Sequence, residues 1–395
     1  MNKRALSILL IMLISTFTLF GCKEDTKAFD RQLIVDNTIT VEALLPSDSK
    51  ISEDINIGMF FAGDLANSVN LGENINIDYG SLEYTDEDDI VALAQNLVDN
   101  GASAIIYSGD NYNTFKNFTA FVDSTDVPVI SLCPYSYEAD NFFSLTLSPE
   151  YLSSCVATYV MEKGYANPLV IFESTDDYYV EFTDILKSTF LSYTSKEPEI
   201  IDKLSGDTDT YSAYTEHDFI FLATNDSELK EDVTDLRLKG FTGEIMLSEV
   251  LDKSTLNDEA FNYCSLITKF EAESSNNVAT VFSSMFSETQ GIRTDEISPA
   301  TAYGYDAYML LLEALKYFEP NDFIVNNSDT TSTTPPSLTD ITLSDYSEAI
   351  SKVTYSGVTD LITFENNSLN PTYIYVDNIT GDKVVLETKY TFASK

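Results

Sequence analysis

The chain has 395 residues, a length that corresponds to about two or three domains. It carries 64 acidic and 22 basic residues, so its formal net charge is −42 at pH 7, and this acidity argues against nucleic-acid binding, which requires a basic surface for the phosphates. The single histidine, His217, excludes a multi-histidine metal site and speaks against a histidine-based catalytic triad.

The first 22 residues have the form of an export signal. Two basic residues precede an apolar run at 5–20, and the closing sequence LFGC looks like a bacterial lipobox, in which the cysteine, here Cys22, receives a diacylglycerol and becomes the mature N-terminus. The apolar run has about 16 residues, whereas a membrane-spanning helix needs about 20. We therefore predict a signal peptide at 1–21 and a lipid anchor on the extracytoplasmic side of a membrane of the bacterial cell envelope. The alternatives are a plain signal peptide and an uncleaved membrane helix.

After the anchor, the polar residues 22–37 predict a tether, and strands then alternate with helices. The predicted strands lie at 38–45, 75–79, 104–107, 127–132, 168–173, 218–223, 243–247 and 265–270. The predicted helices lie at 52–69, 87–100, 114–124, 149–163, 178–192, 228–238, 276–286, 299–317 and 344–353. This alternation predicts parallel sheets covered by helices. In the first helix, Gly58 and Gly63 indicate a place where another element packs closely.

The end of the chain departs from this alternation. Residues 321–344 are rich in Ser, Thr and Pro and predict a long exposed loop. Two runs at 373–376 and 383–387 flank a turn at 378–382 and predict a hairpin.

The cysteines and the acidic clusters give no sign of a further site. Besides Cys22 the chain has Cys133, Cys155 and Cys264, so at most one disulfide forms, and buried free thiols are the expectation. The acidic runs lack the spacing of a calcium-binding loop. Since no nucleophile, phosphate-loop or dinucleotide motif occurs either, we predict a protein that is not an enzyme and holds neither a cofactor nor a metal.

Several segments resemble one known family. They are ITVEALLPSDS followed by INIGMFFAGDLANSVN, then DDIVALAQNLVDNGASAIIYSGDN, DVPVISLCPYSYE, RLKGFTGEIMLSE, YGYDAYMLLLEALK and YSGVTDLITFE. In wording and order they are similar to the type I periplasmic-binding proteins, in particular the branched-chain amino-acid receptors of ABC transporters. The resemblance covers nearly all of residues 38–390.

The resemblance implies an α/β fold with two Rossmann-like lobes. Each lobe has a parallel central sheet, three interlobe crossings join the lobes, and the ligand cleft lies between them. We expect lobe 1 at 38–145 and 272–364, lobe 2 at 146–271 and 365–395, and the crossings near 144–149, 266–270 and 365–373. The carboxyl ends of parallel strands are also where ligands bind in open α/β sheets.

Candidate ligand-binding residues follow from the positions that match the family. In lobe 1 they are Ser47, Ser49, Asn113, Thr114, Tyr135 and Ser136, which follow predicted strands. Ser47 and Ser49 have a simple alternative as helix caps. Pro134 stands where relatives offer a backbone donor, and proline has none.

In lobe 2 the candidates are Tyr178, Tyr179, Asn225 and Glu249. The tyrosines fall where many relatives place an aromatic ring over the ligand, with a partly packed surface as the alternative. Glu249 falls where amino-acid-binding relatives hold the ligand ammonium group, and a carboxylate in a closed cleft forms a charge-assisted bond with such a group. Its alternative is an ordinary solvated acid.

Together these features predict an extracytoplasmic solute-binding lipoprotein of an ABC-type importer. It would close on a small polar solute, for example an amino acid or a peptide, and present it to a membrane permease. The alternative is a regulatory or sensory lipoprotein that keeps the same two-lobed fold, such as an activator of an envelope enzyme. The loop LPSDS, Pro134 and the long segment 321–344 depart from the family pattern and keep this alternative open.

Overall fold

The computed structural model describes residues 31–35, 38–66, 76–172, 177–202, 214–223, 229–249, 251, 256, 258–272, 274, 276–318, 340–381 and 383–392, without the side chains of residues 177 and 178. Cys22, Asn225, the Tyr178 side chain, the signal segment and most of the predicted loop at 321–344 lie outside the described residues. In the part that is described, no helix combines the length and the apolar character needed to cross a membrane.

Two seven-stranded sheets form the centres of two lobes, which confirms the predicted α/β architecture. The first sheet has the order β13-β14-β5-β4-β3-β1-β2, and its strands from β14 to β2 run parallel. Its strands are β1 (Thr38–Pro46), β2 (Asn76–Tyr84), β3 (Ala102–Tyr107), β4 (Val129–Ser131), β5 (Phe142–Ser144), β13 (Phe364–Glu365) and β14 (Ser368–Leu369). Every residue of the central strand β3 is buried, as expected for a strand covered on both faces.

The second sheet has the order β16-β15-β10-β9-β8-β6-β7. Its strands are β6 (Pro168–Phe172), β7 (Glu199–Asp202), β8 (Phe219–Ala223), β9 (Glu244–Leu247), β10 (Cys264–Thr268), β15 (Tyr373–Thr380) and β16 (Lys383–Thr391). The strands from β7 to β10 are parallel, whereas β15 and β16 form an antiparallel hairpin on one edge, as the sequence predicts. A small separate hairpin consists of β11 (Tyr355–Ser356) and β12 (Leu361–Ile362).

The helices lie close to their predicted positions. They are α1 (Lys50–Ala66), α2 (Ile90–Asp99), α3 (Tyr112–Val122), α4 (Pro149–Lys163), α5 (Asp177–Thr194), α6 (Leu229–Leu238), α7 (Asn277–Gln290), α8 (Pro299–Leu315) and α9 (Leu343–Lys352). Local chemistry sets several of their ends. Pro149 begins α4, where no backbone N–H is needed, and Gly164 ends it in the left-handed region with φ 73°.

The chain passes between the two sheets at 145–148, in the segment between β10 and α7, and at 370–372. The short strands β13 and β14 pair within the first sheet, so residues 365–369 stay with lobe 1, although the predicted limit of that lobe is residue 364. The three cysteines described, Cys133, Cys155 and Cys264, are buried free thiols. Burial raises the pKa of Cys133 to about 11, which keeps its thiol protonated.

The segment just before β1 packs against lobe 1. Leu33 is fully buried, and its N–H donates to the carbonyl of Ile341 at 2.8 Å. The Arg31 guanidinium donates to the carbonyls of Val98 and Ala102. The predicted tether extends to residue 37, whereas residues 31–35 belong to the packed surface of the lobe because these contacts bury an apolar side chain and satisfy backbone carbonyls.

Helices α1 and α8 cross with their backbones in contact, which accounts for the sequence signal at Gly58. A Cβ atom at Gly58 would lie 2.0 Å from the carbonyl oxygen of Thr301, and one at Gly304 would lie 2.3 Å from that of Ile55. Only glycine fits at these two positions, since the obstructing atoms belong to helix backbone. The close crossing fixes α8 on lobe 1.

We predict that Gly58→Ala lowers the free energy of unfolding by about 1–3 kcal/mol, because the added methyl group forces the two helices apart. Gly63→Ala in the same helix is the control: its Cβ would lie 3.2 Å from the ring of Tyr79 and 3.7 Å from the hydroxyl of Tyr308, which are side-chain atoms that can move. Urea unfolding followed by circular dichroism measures both variants. Equal losses for the two variants would contradict the proposed role of the crossing.

Candidate functional site

A cavity of about 560 Å³ lies between the lobes, at the carboxyl ends of strands from both sheets. Lobe 1 contributes the loops that follow β1, β2, β3 and β4, and lobe 2 contributes the start of α4, one face of α5 and the exits of β8 and β9. Parallel strands place their carboxyl ends at one edge of a sheet, so residues far apart in the sequence converge there. The volume lies within the usual range for a small-molecule site.

Part of the cavity wall is apolar. These side chains come from both lobes: Leu132, Leu147, Leu152, Phe182, Phe221 and Ala223. A wall of this kind favours a ligand with an apolar portion, because its burial removes that portion from water.

The loop after β1 brings two predicted residues into the cavity lining, Ser47 and Ser49. The N–H of Ser47 donates to the carbonyl of Tyr84 at 2.7 Å, which ties this loop to the end of β2. The hydroxyl of Ser49 accepts from the N–H of Ser52 at 3.4 Å, so Ser49 also acts near the start of α1 as a capping residue does. The capping alternative for Ser49 thus matches a contact in the structure, and its use in ligand binding stays a prediction.

Glu249 lines the cavity from lobe 2, and its carboxylate is held in place by two donors. It accepts from the N–H of Lys269 at 2.9 Å and from the hydroxyl of Tyr303 at 2.8 Å. Tyr303 lies on α8 in lobe 1, so this contact joins the two lobes. Burial raises the pKa of the Glu249 carboxyl, and the two hydrogen bonds and the Lys269 charge offset part of that rise.

A buried ion pair lies next to this carboxylate. The Lys269 ammonium at the second crossing contacts the Asp360 carboxylate, and both side chains are fully buried. Lys269 also donates to the carbonyl of Tyr373 at 2.7 Å, and the N–H of Thr372 donates to Asp360 at 2.9 Å. The pair therefore connects the second crossing to the third, which is where a two-lobed protein bends.

A second buried carboxylate supports the same region. Asp306 on α8 accepts from the N–H groups of Val358 and Thr359 at 2.8 and 2.7 Å and from the Thr359 hydroxyl at 2.6 Å. Burial raises the pKa of Asp306 to about 6. Asp306 is not among the residues that line the cavity. It holds the turn that carries Asp360.

Four predicted ligand residues do not line the cavity. Asn113 is exposed on α3, and the Thr114 hydroxyl donates to Asp86 at 2.9 Å. Ser136 is exposed, while Tyr135 is buried and its hydroxyl donates to the carbonyl of Asp110 at 2.5 Å. Thr114 and Tyr135 thus brace two cavity loops from behind. Their use in ligand binding stays a prediction, as it does for Tyr178 and Asn225 outside the described side chains.

The predicted residues that the structure does bring together are Ser47, Ser49, Tyr179 and Glu249. Sequence reasoning missed Tyr84 and Asp86, which also line the cavity. The predicted strand ends at residue 79, whereas β2 continues to Tyr84, so the end of the strand lies five residues later than predicted. It also passed over Ser108, which directly follows β3. The signal for Ser108 was available, since the first residue after a buried parallel strand lies at the edge where ligands bind.

No known protein-family profile matches the sequence, and no curated protein shows significant similarity to it. Solved structures do resemble the fold. An ABC transporter substrate-binding protein from Desulfitobacterium hafniense, in complex with Leu, has a TM-score of 0.73 at 16% identity, over 89% of this chain and 100% of the other. The leucine binding protein LivK from Thermotoga maritima gives 0.71 at 19% identity, over 89% and 98%.

A periplasmic binding protein type 1 from Bordetella pertussis gives a TM-score of 0.69 at 17% identity, over 89% of this chain and 99% of the other. At such low identities these likenesses concern the fold. The chain has the two-lobed α/β architecture of these substrate-binding proteins along almost their entire length. In the described part of the chain, no group of three or more His, Cys, Asp and Glu residues is arranged to hold a metal ion.

We predict that Lys269→Met destabilises the protein by about 3–5 kcal/mol, because it leaves the Asp360 carboxylate charged and unpaired in the interior. Adding Asp360→Asn to this variant removes the orphaned charge and restores part of the loss. Lys187→Met breaks an exposed contact with Asp184 and serves as the control, with an almost unchanged unfolding midpoint. Midpoints in urea test the series, and a single variant at Lys269 as stable as the control would refute the role of the pair.

Proposed function

We propose that the chain is the extracytoplasmic substrate-binding lipoprotein of an ABC-type importer and that it closes on a small polar ligand, for example an amino acid or a peptide. The observation that carries this proposal is the cavity between two lobes, with the Glu249 carboxylate held inside it. The ligand would reach the membrane permease in the closed protein. The anchor at Cys22 would hold the protein at the membrane that contains the permease.

The arrangement of the cavity supports binding coupled to lobe movement. A ligand between the lobes contacts the loops after β1, β2 and β3 on one side and α5 and the exit of β9 on the other. A closed conformation that contacts the ligand on both sides binds it more strongly than an open one that contacts it on one side, so the ligand shifts the population toward closure. The three crossings limit this movement to bending.

The neighbouring structures support the ligand class. One of them is solved with Leu bound, and all are substrate-binding proteins or relatives of the same two-lobed kind. In the cavity, Glu249 offers a carboxylate to a ligand ammonium group, and the apolar wall offers contact to a side chain. The protein itself requires no catalytic step for this role.

A screen of small polar solutes tests the proposal. Amino acids, short peptides and amines are added to the purified protein, and a ligand that binds only the folded state raises the unfolding midpoint by mass action. We expect at least one ammonium-bearing solute to raise it. A flat response across the whole screen would count against a solute receptor and favour the regulatory or sensory alternative.

Once a ligand is identified, Glu249→Gln is expected to weaken its binding about tenfold or more, because the amide keeps the shape of the carboxylate and loses its charge. Binding to the unaltered protein should also weaken as the pH falls through the raised pKa of Glu249, since the protonated carboxyl no longer attracts an ammonium group. The variant should lack this pH dependence. The control is Glu288→Gln, at an exposed position on α7 outside the cavity lining. Titration calorimetry measures the dissociation constants of both variants.

The proposed anchor has its own test. Cys22→Ala should abolish incorporation of a fatty-acid probe into the protein in bacteria and release it from the membrane fraction, because the thiol that receives the diacylglycerol is gone. The other three cysteines are buried, so they offer no substitute acceptor. Labelling that persists in the variant would remove the lipoprotein part of the proposal and leave the binding part intact.

A further inference from the structure

The charges around the cavity narrow the class of ligand. We infer that the cleft takes an organic cation, an amine without a carboxylate next to its ammonium group, in preference to a zwitterionic amino acid. This inference rests on the proposed function, since it concerns the same cavity.

Acidic side chains surround the cavity from both lobes. Asp48, Asp86 and Asp110 lie on the loops after β1, β2 and β3, which are neighbours in the order β3-β1-β2. Their carboxylates therefore share one rim of lobe 1, and Glu249 faces them from lobe 2. Several charges of one sign along a cleft produce an attractive field for the opposite charge.

Lys50 is the one basic side chain among the described residues that line the cavity. Its Nζ lies 2.6 Å from Oδ1 of Asp54 and 3.6 Å from Oε2 of Glu53. Two carboxylates thus already compensate its charge, so it offers little attraction to a ligand anion. The amino end of α1 adds about half a positive charge, and Asp48 just before it and Glu53 in its first turn outweigh that contribution.

Three backbone positions in the cavity lining offer no N–H to a ligand carboxylate. The N–H of Ser47 is donated to Tyr84, and the N–H of Ser108 is donated to the carbonyl of Leu44 at 3.2 Å. Pro134, at the exit of β4, lines the cavity and has no N–H. An anionic group at this rim would meet three aspartates and lack these three donors.

A polar residue also lines the cavity. Ser108 directly follows β3, and the residue is only 4% exposed. Its hydroxyl can accept a hydrogen bond from a ligand. An ammonium group between lobes donates to such a hydroxyl and to the carboxylates at the rim, while an alkyl chain contacts Phe182 and Phe221. These observations fit an amine with an apolar body.

Matched pairs of ligands test this inference. Each pair consists of an amino acid and the amine left when its carboxylate is removed: L-leucine with 3-methylbutylamine, L-lysine with 1,5-diaminopentane, and L-arginine with agmatine. Titration calorimetry on the full chain, purified in detergent, measures their dissociation constants. For at least one pair we expect the amine to bind about tenfold or more tightly than the amino acid.

The outcomes separate the two proposals. If every amino acid that binds does so as tightly as its amine, or if only uncharged solutes bind, the inference of an organic cation is overturned and the receptor function stands. If nothing in a broad set of polar solutes binds, both fall.

A matched pair of variants tests whether the carboxylates at the rim of the cavity contribute to amine binding. Asp110→Asn should weaken amine binding about two- to fivefold at low ionic strength and less at about 0.5 M salt, because salt screens an exposed charge. Asp140→Asn removes the same charge just before β5, at the opposite end of the first sheet, and should leave binding unchanged. Equal effects of the two variants would show that only the overall charge matters and would overturn the assignment to the cleft.

Discussion

The contact between Lys269 and Asp360 is the interaction on which the arrangement of the two lobes depends. Both side chains are fully buried. Lys269 lies at the second crossing, and Asp360, on the turn between β11 and β12, accepts a hydrogen bond from Thr372 in the third crossing. Two charges removed from water are stable only with good geometry and further hydrogen bonds. Here the Tyr373 carbonyl accepts a hydrogen bond from Lys269, and the backbone N–H and the hydroxyl of Thr372 donate to Asp360. The second and third crossings are thereby fixed to each other.

The same lysine connects this hinge region to the cavity between the lobes. Its side chain holds Asp360, while its backbone N–H donates to the carboxylate of Glu249. Tyr303 approaches that carboxylate from lobe 1, on the helix that Gly58 and Gly304 allow to pack tightly. A change in the angle between the lobes must therefore move the donors around Glu249. The hinge region and the cavity are parts of one hydrogen-bonded unit, so a ligand bound in the cavity, as we propose, would be coupled to bending through a few short contacts.

Much of the fold could be predicted because it is encoded locally. The helix at 149–163 is predicted to the residue, since Pro149 and Gly164 mark its ends chemically. The buried strand β8 has a continuous apolar run, and in β3 such a run follows Ser103. The short strands β5, β13 and β14 have no such signal, because their pairing depends on neighbours distant in sequence. For the same reason the positions of Tyr135 and Thr114 could not be predicted: aromatic packing and a contact with Asp86 decide where they point. Glu249 and Ser47 were predictable as strand exits.

The overall acidity of the chain and the acidity of its cleft have different physical consequences. A net charge of −42 spread over the surface keeps copies of the protein apart, but salt screens it beyond about 8–10 Å. It cannot select one ligand over another, since every cation near the surface experiences it. Selection requires carboxylates within contact distance of a bound molecule and shielded from water. Of the described residues, Glu249 meets that condition best, with a carboxylate fixed by two donors beside the apolar wall. For the organic cation that we infer as ligand, the rim aspartates would guide it toward this group, and the wall and the Ser108 hydroxyl would then determine which cation fits.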